Sequence, residues 1–100
     1  MKIVSIEPKK SQTIRVDLDG QQCVIRILQR ESFLYLDLTS NGVPLLQGVP
    51  CLYGNYLVRY NYLGFKGDLM FIDNDGNQDP KWDGLGSRHV LYYIEESDLV

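Results

Sequence analysis

The sequence has little of what catalysis or metal binding needs. Histidine occurs once, at His89, and cysteine twice, at Cys23 and Cys51. A nucleophilic triad needs a hydroxyl or thiol, an imidazole and a carboxylate that converge in the fold. Both cysteines sit in apolar runs, where a thiolate is disfavoured, and no GxSxG elbow is present. His89 therefore reads as an ordinary strand residue, and no catalytic residue is expected. The absence of CxxC excludes the common zinc and redox motifs. Gly84-Leu85-Gly86-Ser87 is not followed by lysine, so no phosphate cradle is indicated. No cofactor is expected. No apolar run approaches the roughly 20 residues that span a bilayer. The N-terminal stretch MKIVSIEPKKSQT breaks at Glu7 and Pro8, too early for a secretory segment. The expectation is synthesis in a cytosol with both thiols free and buried. An acidic chain without a basic stripe interleaved with aromatics excludes nucleic acid as a partner.

What is present is ordinary for a soluble globular body: 44% apolar and 23% charged residues over 100 positions, a single-domain length. The net charge of −3 is unevenly spread. Residues 1–30 carry +3 and residues 31–100 carry −6, a polarity that suits docking between oppositely charged neighbours.

Periodicity of two dominates, and helical periodicity is missing. Thr13 to Leu18 alternates strictly, Asp19-Gly20 follows, and Gln21 to Gln29 alternates again. A two-residue type I′ turn there sets Val16 opposite Cys23 and Ile14 opposite Ile25, all on one face. The outer face then pairs Asp17 with Gln22 and Thr13 with Arg26. Phe33 to Ser40, Asn41-Gly42, and Val43 to Gln47 form a second hairpin, with Leu38 opposite Leu45 and Pro44 opposite Thr39. Proline in that pair is tolerated only at an edge or bulge, so the strand from Val43 is predicted to be an edge. Gly48 to Leu52 reads as a further short strand after a bend at Gly48. Tyr53 to Gly64 reads as a half-buried strand with its turn, Leu69 to Ile72 as a buried strand, and Arg88 to Ile94 as the last strand. Glu95 to Asp98 reads as a charged tail or a single helical turn. The fold class is all-β and mostly antiparallel, a small single-domain barrel or sandwich.

The stretch Asp73-Asn74-Asp75-Gly76-Asn77-Gln78-Asp79-Pro80 begins like a calcium loop, with Asp73, Asp75, Asn77 and Asp79 as the weak candidate ligands. An EF-hand loop needs Gly at position six and a bidentate Glu at position twelve, where this chain has Gln78 and Gly84. A turn following the apolar run is the cheaper reading, because Asn and Asp close local hydrogen bonds with the backbone. Asp73, Asp75, Asp79 and Asp83 crowd one loop and do not face each other across a cleft as glycosidase carboxylates must. Tyr53, Tyr56, Tyr60, Tyr62 and Trp82 are the interface candidates, since such rings combine an apolar body with a polar tip.

The ordered set of motifs is informative as a whole. Tyr35-Leu36-Asp37-Leu38 is followed by Asn41-Gly42-Val43-Pro44-Leu45-Leu46 and Gly48-Val49-Pro50-Cys51-Leu52. Tyr62-Leu63, Gly67-Asp68-Leu69-Met70-Phe71, Asp79-Pro80 and His89-Val90-Leu91-Tyr92-Tyr93-Ile94 come after. Over about residues 1–96 this resembles the small baseplate plug proteins of contractile-tailed bacteriophages, cyanophages included. The family often carries arginine after the histidine of the last strand, where this chain has Val90. The resemblance implies a compact antiparallel β-structure without catalytic residues, a structural protein of a phage or prophage virion. It implies a place at the tail baseplate, closing the tube lumen among tube and hub components, with assembly in the bacterial cytoplasm. The expected domain is residues 1–100, with a core of about 1–96. The alternative is a small soluble β module that binds a ligand or metal ion through the acidic loop 73–83 and the tyrosine-rich segment 53–62.

Overall fold

In the computed structural model, which describes residues 1–59 and 64–98, seven antiparallel strands form two sheets. The strands are β1 (Lys2–Val4), β2 (Ser11–Leu18), β3 (Gln21–Arg30), β4 (Phe33–Ser40), β5 (Val43–Pro50), β6 (Asp68–Asp73) and β7 (His89–Ile94). One sheet has the order β2-β3-β4-β5 and the other β1-β7-β6. The sheets do not close on each other, so of the two expected architectures the molecule is a sandwich and not a barrel.

The four-stranded sheet is a meander set by short turns. Asp19 and Gly20 take φ of 55° and 80°, and Asn41 and Gly42 take 50° and 82°, the left-handed pairs that type I′ turns require. The β2–β3 register runs unbroken from Leu18↔Gln21 to Ser11↔Leu28 and contains all four expected pairs. Inward Cys23, Ile25, Ile27, Leu34, Leu36 and Leu38 are buried, and half-buried Ile14 and Val16 pack against them from the edge strand. The third turn, Glu31-Ser32, has no glycine; Glu31 takes φ of 53°, and its carbonyl accepts a hydrogen bond from Gln29 Nε2 at 2.8 Å.

The hairpin after Asn41 departs from simple alternation. Thr39 does pair with Pro44, and β5 is an edge, but Leu38 faces Leu46 and not Leu45. One extra residue on β5 turns Leu46 inward and leaves Leu45 half-buried. A second irregularity separates Leu38↔Leu46 from Leu36↔Val49. There Gly48 takes φ of 63° and its N–H donates to Asp37 Oδ1 at 2.6 Å. The bend expected to start a new strand is therefore absorbed as a bulge, and β5 continues to Pro50.

Residues 51–59 cross to the second sheet. Tyr53 forms a parallel bridge with Phe71, Gly54 N–H donates to the Phe71 carbonyl, and Leu57 N–H donates to the Leu69 carbonyl. The half-buried strand expected over 53–64 is thus a covering segment on β6 as far as residue 59, and the rest of that expectation falls outside the described residues. β1, which no periodicity announced, adds three residues to β7. Short 3₁₀ turns occupy Trp82–Gly84 and Glu96–Asp98. One apolar core lies between the sheets and draws on both, from Ile25 and Leu36 on one side to Phe71, Leu91 and Tyr93 on the other. The Tyr93 ring meets Phe65 edge-on at 6.0 Å, and its hydroxyl donates to the Lys66 carbonyl at 2.6 Å.

Candidate functional site

The acidic loop is built around Asp73, the last residue of β6. Its carboxylate accepts two hydrogen bonds from the Arg88 guanidinium, from Nε at 2.8 Å and Nη2 at 2.9 Å. It also accepts from the backbone N–H groups of Asp75 and Gln78, each at 2.9 Å. The hydrogen bonds from Arg88 hold its carboxyl far below the ordinary carboxylate range, against the opposing effect of burial. Asp79 Oδ1 accepts from the Tyr53 N–H at 2.9 Å, which pins the loop to the segment covering β6. Asp75 and Asn77 are exposed. Among the described residues no group of three or more His, Cys, Asp or Glu is arranged to hold a metal ion. What the loop carries is turn chemistry, with its inner carboxylates satisfied by the protein's own donors.

His89 opens β7 in the interior, with its ring against Gly84 and its Nδ1 unpartnered among the described residues. Burial lowers its pKa, against the opposing pull of Asp73, and so disfavours the charged imidazolium. Both cysteines are free and buried, and burial pushes the Cys51 thiol up to about 12. Neither is a poised nucleophile.

The interface candidates fall in different places. Tyr56 is exposed, and Tyr53 is half-buried where its backbone bridges β6. Trp82 is half-buried under the Lys10 ammonium, 5.4 Å from the ring centroid, while its backbone N–H donates to Gln29 Oε1 at 3.2 Å. Tyr60 and Tyr62 lie outside the described residues.

Two broader surfaces escaped the sequence reading. On the outer side of the three-stranded sheet, the register Ile3↔Tyr92↔Met70 lays an apolar row across all three strands. Ile3 is 65% exposed, and Met1 beside it 68%. The signal was available in Leu69-Met70-Phe71-Ile72, whose unbroken apolar run means that both faces of the strand are apolar. On the outer side of the four-stranded sheet stand Arg15, Arg26 and Arg30, interleaved with Val24, Leu28, Tyr35 and exposed Phe33. A shallow cavity of about 330 Å³ opens there between Arg26, Leu28, Arg30, Tyr35, Asp37 and Gly48. An exposed apolar row on one side and a face of mixed charges and apolar side chains on the other are the broadest surface features among the described residues.

Two buried polar residues hold this body together and were also missed. Gln21 reaches across the sandwich: its Nε2 donates to the Leu18 and Lys66 carbonyls, and its Oε1 accepts from the Lys66 N–H. Asp68 collects backbone donors from the segment at 57–59.

Comparison with known proteins adds one finding. A family model described as cyanophage baseplate Pam3 plug gp18 matches residues 1–96. No curated protein matches the chain.

Proposed function

Because the chain belongs to the cyanophage baseplate plug family, we propose that it is the plug of a phage or prophage contractile tail, closing the tail-tube lumen at the baseplate. Family membership across residues 1–96 is the observation that carries this reading. The whole chain acts as one plug domain. Its partners are tube and hub or baseplate proteins, and it is made and assembled in the bacterial cytoplasm before entering the virion. No catalytic group has a part in this role. A plug must be stiff, must offer contact surface, and must leave without chemistry. The bulge-locked sandwich gives the stiffness. The apolar row Ile3–Tyr92–Met70, Tyr53, Tyr56, Tyr60, Tyr62 and Trp82 supply contact groups, and the outer face of the four-stranded sheet, with Arg15, Arg26 and Arg30 beside Asp17 and Asp37, offers charges of both signs.

Quantitative mass spectrometry of purified particles tests the reading. The chain is expected in fixed proportion to baseplate proteins in extended tails and depleted from contracted ones. Its absence from extended tails would overturn the proposal.

A further inference from the structure

Among the described residues each sheet has two edges, and all but one of the four are short, blunted or covered. β1 is three residues long. β5 carries Pro44, Pro50 and two register irregularities. β6 is overlaid by residues 53–57, through the Tyr53↔Phe71 bridge and the bonds from Gly54 and Leu57. β2 has none of these protections: it is eight residues long, in unbroken register, without proline, glycine or bulge. Proteins normally guard such an edge, because its free backbone groups template pairing with another strand.

The hairpin geometry says which groups are free. Leu18↔Gln21 closes the two-residue turn and is hydrogen-bonded, so Leu18, Val16, Ile14 and Gln12 direct their backbone N–H and C=O groups to β3. The bond from Gln29 N–H to the Lys10 carbonyl keeps the same phase. Asp17, Arg15, Thr13 and Ser11 therefore direct theirs outward.

The side chains say what fits. Arg15 and Asp17 stand exposed two places apart on the outer face, on either side of Val16, which is half-buried on the inner face. A strand with opposite charges placed symmetrically about an apolar residue is complementary to its own antiparallel copy. We propose that β2 pairs with β2 of a second copy of this chain about Val16, joining the two four-stranded sheets into one continuous sheet. Arg15 then lies opposite Asp17 of the second copy, and Asp17 opposite its Arg15, as two hydrogen-bonded backbone pairs with opposite charges. On the inner face Val16 meets Val16, and Ile14 meets the already buried Leu18 of the second copy, covering the part of Val16 and Ile14 that the edge leaves open. Sliding the register to centre on Arg15 sets like charges face to face, which is unfavourable. In the Val16 register the Asp19-Gly20 turn of the second copy comes beside residues 12 and 13. A groove of about 440 Å³ runs there between β2 and Ser5, Ile6, Glu7 and Lys9. Lys9 and Glu7 on its wall are already paired with each other at 2.8 Å, so the incoming Asp19 meets a neutralised pair. The pairing is expected of the isolated protein, whatever its place in a tail.

Sedimentation velocity from micromolar to millimolar protein tests it, with hydrogen exchange on the same samples. The wild type is expected to rise from 11.5 kDa toward twice that mass, with the Arg15 and Asp17 amides exchanging more slowly as the dimer fills. R15D, an exposed substitution that sets two pairs of aspartates face to face, is expected to raise the dissociation constant by about tenfold or more. R15P, which removes an outward N–H and no bond to β3, is expected to abolish the dimer. R15D/D17R, with the signs exchanged, is expected to restore it. A wild type that stays monomeric throughout, or a dimer that R15D and R15P leave unchanged, overturns the proposal. The amide measurement on the wild type decides the matter even where a variant fails to fold.

Discussion

Asp68→Ala is expected to destabilise the fold by about 3–5 kcal/mol, the cost typical of stripping a buried charged acceptor from its donors. The Asp68 side chain lies in the interior at the start of β6. Its Oδ1 accepts from the N–H groups of Leu57 at 3.1 Å, Val58 at 2.8 Å and Leu69 at 2.7 Å, and its Oδ2 from Arg59 at 2.9 Å. One carboxylate thus serves four backbone donors, and three of their residues, Leu57, Val58 and Leu69, are themselves buried. Alanine takes the carboxylate from all four, leaves Leu57 N–H only its bond to the Leu69 carbonyl, and removes one anchor of the covering of β6. Asp68→Asn keeps one acceptor oxygen but turns an amide NH₂ toward a donor, so about half the loss is expected. Urea denaturation followed by far-UV circular dichroism measures both, and a loss under about 1 kcal/mol for the alanine variant would contradict the role given to Asp68.

Gly67→Ala is expected to cost about 3 kcal/mol or more, about twice the loss from Gly42→Ala or above. Both glycines have φ above 80°, so each alanine pays about 1–2 kcal/mol for a left-handed backbone. At Gly42 nothing lies within 4 Å of an added Cβ. At Gly67 the same carbon would overlap the Ile94 carbonyl oxygen and press on the Tyr93 hydroxyl. The carbonyl belongs to the β7 backbone at the Asp68↔Ile94 pair, and the hydroxyl is held by Lys66, so neither side can yield cheaply. Comparing the two variants in one denaturation series separates backbone strain from overlap. Equal losses at the two positions would show that the close approach at Gly67 carries no cost.

The parts of the fold that local chemistry determines were legible. Asp19-Gly20 and Asn41-Gly42 fixed two turns, strict alternation fixed the β2–β3 register, and the missing N–H of Pro44 marked β5 as an edge. The chain contains no alanine, the strongest helix former, and the described residues form no α-helix. What was not legible depends on distant partners. Alternation at Leu45-Leu46 allows either leucine to face inward, and the bulged register that selects Leu46 is visible only with Leu38 in place. β1 is too short to show a period and exists because β7 offers it an edge. Asp68 and Gln21 look like surface residues in the sequence, because their importance lies in backbone groups brought to them by the fold. The contact surfaces were read from tyrosine density along the chain. The apolar row Ile3–Tyr92–Met70 is assembled from three strands far apart in sequence.

Electron cryomicroscopy of extended tails tests the functional account most directly. The described residues form a body of 30 × 26 × 20 Å. A plug must show there as density into which this sandwich fits, on the tail axis at the baseplate, blocking the tube lumen and absent when the gene is deleted. An open lumen in wild-type tails, or the sandwich bound anywhere off that axis, would contradict the proposed role.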